Sequence, residues 1–191
     1  MPNERPKSER APSGFELACR VRGWRAPPWA ERYAMKILFP FLMLLTLNSV
    51  ADVDLVKVDK SDRKMYLMAN GNVVKEYRIA LGANPKGHKI QEGDERTPEG
   101  TYTLDYMKLD SAFYKAMHIS YPNSNDIAHA KSLGVSPGSF IMVHGQKNGF
   151  GWLSFVSQWF NWTNGCVALA DDEMDEFIKL VKVGTKIQIL W

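Results

Sequence analysis

The chain has 191 residues, a formal net charge of +3 and two cysteines, a size that fits one globular domain behind a leader. The positive charge is concentrated in residues 1–51, which hold 8 Lys+Arg against 4 Glu, whereas residues 52–191 hold 16 Lys+Arg against 17 Asp+Glu. A near-neutral main segment gives no electrostatic case for nucleic-acid binding or a basic membrane patch, so we expect neither.

The first 51 residues divide into two segments of different composition. Residues 1–34 are rich in Pro, Arg and Glu without apolar periodicity, which predicts disorder or an over-extended start with Met35 as the true first residue. Residues 35–51 carry one lysine, an apolar run and small residues up to Ala51, which is typical of a signal peptide. The run is too short for a stable membrane span. We therefore expect residues 52–191 to be periplasmic or otherwise extracytoplasmic.

The domain that follows is predicted to consist mainly of strands. Asn70-Gly71-Asn72 is a hairpin turn, residues 82–94 form a long polar loop, and Arg96–Gly100 is a turn. The predicted strands, in chain order, are Asp54–Val58, Lys64–Met68, Val73–Leu81, Thr101–Lys108, Ala116–Ser120, Phe140–Val143 and Thr185–Leu190. On the fourth of these, Tyr102, Leu104 and Tyr106 are predicted to share one face.

Two or three short helices are expected between these strands. The first begins at Asn123 or Ser124 and extends to Leu133, and residues 154–160 are compatible with a second. The clearest helix is capped by Asp171 or Asp172, and its apolar residues at helical spacing are Met174, Phe177, Ile178 and Val181. The acidic run at its start is explained by the helix N-terminus rather than by metal binding.

The insert over residues 146–161 is rich in glycine and aromatic residues. Packing in the core is the expected role of its aromatic side chains and of the next one along: Trp152, Phe155, Trp159, Phe160 and Trp162. The alternative is a lid or groove wall beside a functional site.

One histidine and one cysteine stand at the ends of two apolar runs, as His144-Gly145 and as Cys166 in Thr163-Asn164-Gly165-Cys166. A free thiol has a pKa of about 8.5, so an imidazole that takes its proton or pairs with the thiolate makes it a nucleophile. Removing the leader would remove Cys19 and leave Cys166 without a disulfide partner in an oxidising compartment. A structural, buried cysteine remains the alternative from these residues alone. The histidines lack metal-ligand spacing, so we expect no metal and no cofactor.

This pattern resembles the L,D-transpeptidase catalytic domain (YkuD-type) family, whose signature is His-Gly, a spacer and Ser/Thr-x-Gly-Cys. Two upstream segments, Arg96–Tyr102 and His118–Asn123, are also similar to this family and stand in the same order. The resemblance covers about residues 53–191. It implies a β-sandwich-like fold with the active site at the end of a groove, and peptidoglycan stem peptides or wall-linked protein as partners.

The resemblance also implies residue roles. Cys166 would be the nucleophile and His144 the general base and later the acid. The backbone N–H groups of Gly165 and Cys166 are candidates for the oxyanion hole, and Gly145 would orient the imidazole. The candidate substrate contacts are Thr163, Asn164, Ser120, Tyr121 and Arg96.

The chain departs from the common family pattern at Ala168, where an arginine usually follows Gly-Cys-Val. A subgroup with Gly-Cys-Val-Ala is more similar. An arginine could pair with a substrate carboxylate, so its absence leaves two reactions open. The acyl-enzyme is transferred to an amine, or water resolves it in a hydrolase that trims stems or detaches wall-linked protein. A non-catalytic peptidoglycan-binding domain is a second alternative, although a binder needs no thiol.

Overall fold

The computed structural model describes residues 52–191, so the predictions for residues 1–34 and 35–51 lie outside the described part. Within that part the chain forms eight strands. Their bounds are β1 Leu55–Asp59, β2 Lys64–Ala69, β3 Asn72–Arg78, β4 Gly100–Ser111, β5 Tyr114–Ile119, β6 Met142–His144, β7 Val167–Ala168 and β8 Lys186–Leu190. The predicted mainly-β class is confirmed.

Three α-helices accompany the strands: α1 Ser124–Ser132, α2 Ser154–Ser157 and α3 Asp171–Leu180. A 3₁₀ turn, Gly151–Leu153, precedes α2. Asn123 caps α1, because its side chain accepts from the N–H of Asp126 while the Asp126 carboxylate accepts from the N–H of Asn123. None of the helices within residues 52–191 is long and apolar enough to cross a membrane.

The start of α3 differs by one residue from the prediction. Its N-cap is Ala170, whose N–H donates to the Glu173 carboxylate at 3.1 Å, and Asp171 already lies in the first turn. Asp171 instead accepts from the backbone N–H of Gln146 at 2.7 Å. The acidic run therefore complements the helix N-terminus, as expected, and also holds the segment that follows His144.

The strands form one curved sheet in the order β3-β2-β1-β8-β4-β5-β6-β7. The pairs β1–β8 and β6–β7 are parallel and the others antiparallel, and the long β4 belongs to both halves of the sheet. The segment after β3 returns to the far edge, where Ala80 bridges Ala168 and Gly82 bridges Thr163. The sheet therefore folds over on itself, which brings its two ends together.

The core lies between the two halves of the folded sheet. It is built from alternate strand positions, such as Met65 and Leu67 of β2 and Ile187 and Ile189 of β8, all fully buried. Met174 and Phe177 of α3 complete it. Each such side chain contributes about 1.5–3 kcal/mol through burial. Period-2 patterning in the sequence therefore determines which face of the sheet is inside.

Two strand predictions need correction. Between Leu104 and Met107 the β4–β5 register shifts, so Tyr106 leaves the face shared by Tyr102 and Leu104 and is exposed. The predicted strand Phe140–Val143 is in fact β6, Met142–His144, since Phe140 has a positive φ of 59° and is 71% exposed.

The expectation that the insert aromatics pack in the core is wrong for four of the five. Trp152, Phe155, Trp159 and Phe160 are exposed, and only Trp162 is partly buried. The insert forms only the 3₁₀ turn and α2, which are too short to present a continuous inner face. It is attached to the sheet by polar contacts at Trp159, whose carbonyl accepts from Arg63 at 2.6 Å and whose ring lies 3.9 Å from the Arg78 guanidinium.

Candidate active site

The parallel pair β6–β7 brings the predicted histidine and cysteine together. Val143 pairs with Val167, and His144 pairs with Ala168, so the preceding residue, Cys166, lies beside Met142. Val143 and Val167 point into the core. Because side chains alternate along a strand, Met142, His144 and Cys166 share the opposite face.

That face carries a cavity of about 420 Å³. Four of the sequence-predicted site residues line it: His144, Thr163, Asn164 and Cys166. A second cavity of about 400 Å³ lies on the far side of Phe140 and Asn164, which line both, and its other lining residues include Lys89, Glu92 and Glu95. The two cavities therefore adjoin at Phe140 and Asn164, and Cys166 lines the first of them.

The imidazole of His144 is held in one orientation. Its Nδ1 is 2.6 Å from the carbonyl oxygen of Gly145, which can only accept, so Nδ1 carries the proton and Nε2 is a free base. The rings of Phe113 and Trp162 lie against it, with centroids 4.7 and 5.8 Å away. Burial lowers the pKa of His144, which is only 5% exposed, so the imidazole is neutral at pH 7.

Gly145 is placed where no side chain fits. A Cβ there would lie 2.6 Å from Asp171 Oδ1 and 2.9 Å from Tyr114 Cβ. Its N–H donates to the Lys115 carbonyl at 3.1 Å. The carbonyl that orients His144 is therefore fixed from both sides, in keeping with the expected role of this glycine.

The Cys166 thiol is in its protonated form in the resting protein. Burial raises its pKa, and the backbone N–H of Met142, which lowers it, is a smaller influence. Its Sγ lies 3.7 Å from the Phe140 carbonyl. The cavity is thus lined by a neutral thiol and a neutral imidazole, whereas the sequence also allowed a resting thiolate. This arrangement suits a general base that takes the proton as the substrate reacts.

The turn before Cys166 is organised by Thr163. Its hydroxyl donates to the Cys166 carbonyl at 2.7 Å and accepts from the Gly165 N–H at 3.2 Å. Gly165 has a φ of +122°, and a Cβ there would lie 2.6 Å from the Arg96 carbonyl oxygen. Because the Gly165 N–H is already paired, the Cys166 N–H is the better candidate for an oxyanion donor.

Three predicted substrate contacts do not line the cavity at Cys166. The Ser120 hydroxyl accepts from the Thr103 N–H at 2.9 Å, and Tyr121 is buried with its hydroxyl donating to the Pro137 carbonyl at 3.0 Å. Burial raises the pKa of Tyr121 far above its ordinary range. Arg96 contributes its backbone carbonyl beneath Gly165, while its guanidinium lies near the His88 carbonyl. Of the three, only Arg96 lies against the cysteine turn, through its backbone carbonyl.

Sequence reasoning missed several residues that line the cavity: Phe113, Phe140, Met142 and Lys147. Lys147 is an exposed cation close to His144 in the sequence, and this closeness is the signal that could have identified it as a site residue. No sequence signal identifies Phe113, because it lies in the β4–β5 connection and contacts His144 only in the folded structure. Trp162, expected in the core, also lines the cavity, and its buried indole N–H has no partner within residues 52–191.

Ala168, which stands where the family pattern has arginine, is fully buried and does not line the cavity. Its N–H donates to the Ala80 carbonyl at 2.8 Å, and its carbonyl accepts from the Ala80 N–H at 3.0 Å and from the side-chain amide of Gln158 at 3.2 Å. Within the described residues, no group of three or more His, Cys, Asp or Glu side chains is placed to hold a metal ion.

Comparisons with known proteins agree with this geometry. A family model described as the L,D-transpeptidase catalytic domain, YkuD, matches residues 54–189. "Putative L,D-transpeptidase YafK" of Escherichia coli (strain K12) is 30% identical over 107 residues, which is 55% of this chain and 36% of that protein. "Putative L,D-transpeptidase YqjB" of Bacillus subtilis (strain 168) is 23% identical over 138 residues, covering 70% of this chain and 69% of that protein.

Among solved structures, the helical cell shape determining protein Pgp2 from Campylobacter jejuni is 26% identical with a TM-score of 0.55. That match covers 73% of this chain and 48% of Pgp2. The chain thus spans about a third of YafK and about half of Pgp2. Since the family model covers most of the chain, including the segments that contain His144 and Cys166, the chain belongs to the L,D-transpeptidase catalytic domain family.

Proposed function

We propose that this protein is a cysteine-dependent acyltransferase of cell wall biogenesis that acts on peptidoglycan stem peptides. One observation carries the proposal: Cys166 and His144 line the same cavity, and the His144 Nδ1 proton is tied to Gly145, which leaves Nε2 as the base. A thiol with no base would be inert, and a binding module would need neither group.

The reaction begins with His144 taking the thiol proton while Cys166 Sγ attacks the carbonyl before the terminal D-alanine. The C–S bond forms, the C–N bond breaks, and the imidazolium returns its proton to the departing amine. The Cys166 N–H would stabilise the oxyanion, because Cys166 lines the cavity and the N–H of the preceding Gly165 is already paired with Thr163. An amine of a second stem then resolves the thioester.

The lining of the cavity supports the choice of substrate. Lys147 is exposed at the edge of the cavity, and its positive charge can attract a stem carboxylate. Ala168, which is uncharged and buried, cannot do so. Asn164, between the two cavities, offers amide donors and acceptors to a peptide backbone.

Transfer is favoured over hydrolysis by two features. Phe113, Phe140 and Trp162 make the lining mostly apolar, which disfavours water at the thioester. The second cavity, joined at Phe140, leaves space for an acceptor stem. Its carboxylates Glu92 and Glu95, which form no ion pair within residues 52–191, suit a cationic amine. The leader pattern and the likeness to Pgp2, a protein described as determining helical cell shape, support an activity outside the cytoplasm, in wall biogenesis.

The decisive experiment incubates the purified protein with tetrapeptide-stem muropeptides and a D-amino acid and resolves the products by mass. Crosslinked dimers or exchanged termini are expected from the wild type. Cys166→Ala should abolish them and Cys166→Ser should nearly do so, since a hydroxyl needs a base matched to its higher pKa. Cys19→Ala is the matched control and should keep full activity.

Other outcomes lead to different conclusions. Shortened stems alone, or protein released from the wall, would replace transfer by a hydrolase on the same scaffold. A folded wild type that forms no covalent adduct with a carbapenem, a β-lactam that acylates thiols, would contradict the enzyme proposal and leave a peptidoglycan-binding domain.

A further inference from the structure

A second histidine, His118, lies on the face of the sheet that carries His144 and Cys166, at an irregularity between β4 and β5. Leu104 pairs with Ile119, and the next pair is Met107 with Met117. Two residues of β4, Asp105 and Tyr106, therefore stand opposite the single residue His118. Such an arrangement, with two residues of one strand opposite one residue of its partner, is a β-bulge. Bulges change the direction of side chains and are over-represented next to active sites.

The bulge directs both of its side chains onto His118. Asp105 Oδ1 lies 2.7 Å from His118 Nδ1, and the Tyr106 ring is stacked on the imidazole at 4.6 Å with an interplanar angle of 14°. An ionised carboxylate only accepts, so Nδ1 donates to Asp105 and Nε2 of the neutral ring is left with its lone pair. This is the arrangement that orients a general base.

The register places this pair close to the nucleophile. His118 is opposite Met142, and Cys166 lies on the other side of Met142 in the neighbouring strand. Two strand spacings put the backbones of His118 and Cys166 about 10 Å apart, with their side chains on one face. Phe140 contacts both, because its ring is 6.4 Å from the imidazole and its carbonyl is 3.7 Å from Cys166 Sγ.

The two histidines differ in their position relative to Cys166, and only His144 lines the cavity at the thiol. Ala116, two residues before His118, is paired with His144, so the two histidines are offset by two residues along the strands, and His118 lies on the side of Phe140. Phe140 also lines the second cavity, the one that leaves space for an acceptor. His144 is buried, whereas His118 keeps 14% of its side chain exposed.

We propose that His118, positioned by Asp105, is the general base for the incoming amine; this rests on the acyl-enzyme reaction proposed above. In that step the amine nitrogen attacks the thioester carbonyl and its proton passes to His118 Nε2. The new C–N bond forms, the C–S bond breaks, and Cys166 leaves as a thiolate. The proton on His118 then returns to the thiolate through solvent, which restores the resting pair. His144 serves the first half-reaction and His118 the second.

The test separates the two half-reactions in the full-length protein. Acylation is followed as carbapenem adduct by intact mass and as D-alanine released from a tetrapeptide stem, and transfer is followed as exchange of the stem's terminal residue for an added D-amino acid. We expect His118→Gln to leave acylation within about twofold of the wild type and to slow transfer about 100-fold, the low end of general-base contributions.

Asp105 is a positioning residue, so its variants report on His118 indirectly. Asp105→Asn should slow transfer about tenfold without changing acylation, and Asp105→Glu should restore part of the loss. His129→Gln, an exposed histidine on α1, is the matched control and should change neither step.

The outcomes separate this inference from the proposed function. Unchanged transfer in His118→Gln, or an equal fall in both half-reactions, would overturn the role of His118, since acylation itself reports a folded site. A wild type that is not acylated would overturn the acyl-enzyme proposal and this inference with it. Selective loss of transfer supports both.

Discussion

Gly165 provides the most direct test of how tightly the cysteine turn is built. It has a φ of +122°, and the Cβ of an alanine would lie 2.6 Å from the Arg96 carbonyl oxygen and 3.2 Å from Ile141 Cδ1. The backbone strain costs about 1–3 kcal/mol, and forcing the backbone carbonyl aside adds about 1–3 kcal/mol. We expect Gly165→Ala to lower the free energy of unfolding by about 4 kcal/mol.

A thermal melt measures this loss, because each kcal/mol corresponds to roughly 3 °C in Tm for a domain of this size. The expected fall for Gly165→Ala is therefore about 12 °C. Gly149→Ala is the matched control: its φ is +83°, yet a Cβ there meets no atom within 4 Å, so only the strain of about 1–2 kcal/mol remains. Equal melting temperatures for the two variants would show that the turn yields freely and that Arg96 does not confine it.

Two further predictions concern the same turn. Thr163→Val keeps the shape but removes the hydroxyl that pairs with the Gly165 N–H and the Cys166 carbonyl, so the free energy of unfolding should fall by about 2–3 kcal/mol in urea titrations; an unchanged midpoint would mean that water replaces the hydroxyl. Because burial raises the pKa of Cys166, alkylation by iodoacetamide in the absence of substrate should rise with pH only above the range of a free thiol, about 8.5. A profile shifted to lower pH would instead indicate a resting thiolate held by His144.

The resting protonation states have a consequence for the proposed reaction. Burial disfavours the charged form of both partners, raising the pKa of Cys166 and lowering that of His144, so the ion pair is unfavourable until charge develops on the substrate. The oxyanion of the tetrahedral intermediate and the donor that faces it then provide the compensating interaction. Reactivity is therefore tied to substrate binding rather than to an exposed thiolate.

Local signals in the sequence predict most of the secondary structure and two of the candidate site residues. Period-2 patterning and turn residues located most of the strands, the apolar spacing located α3, and the capping residue Asn123 located the start of α1. The sequence predicts His144 and Cys166 as a pair because a thiol nucleophile needs a neighbouring base, and because both residues stand at the ends of apolar runs. These features depend on neighbours a few residues apart, which a single sequence contains.

The register between strands distant in sequence determines the features of the site that local sequence patterns do not predict. The bulge that turns Asp105 and Tyr106 towards His118 and the contact of Phe113 with His144 both depend on which strands meet and with what offset. One residue of offset reverses the face on which a side chain lies. The aromatic side chains of the insert show the same limit, because hydrophobic character in the sequence does not determine burial, and only the folded structure shows that Trp152, Phe155, Trp159 and Phe160 stay exposed.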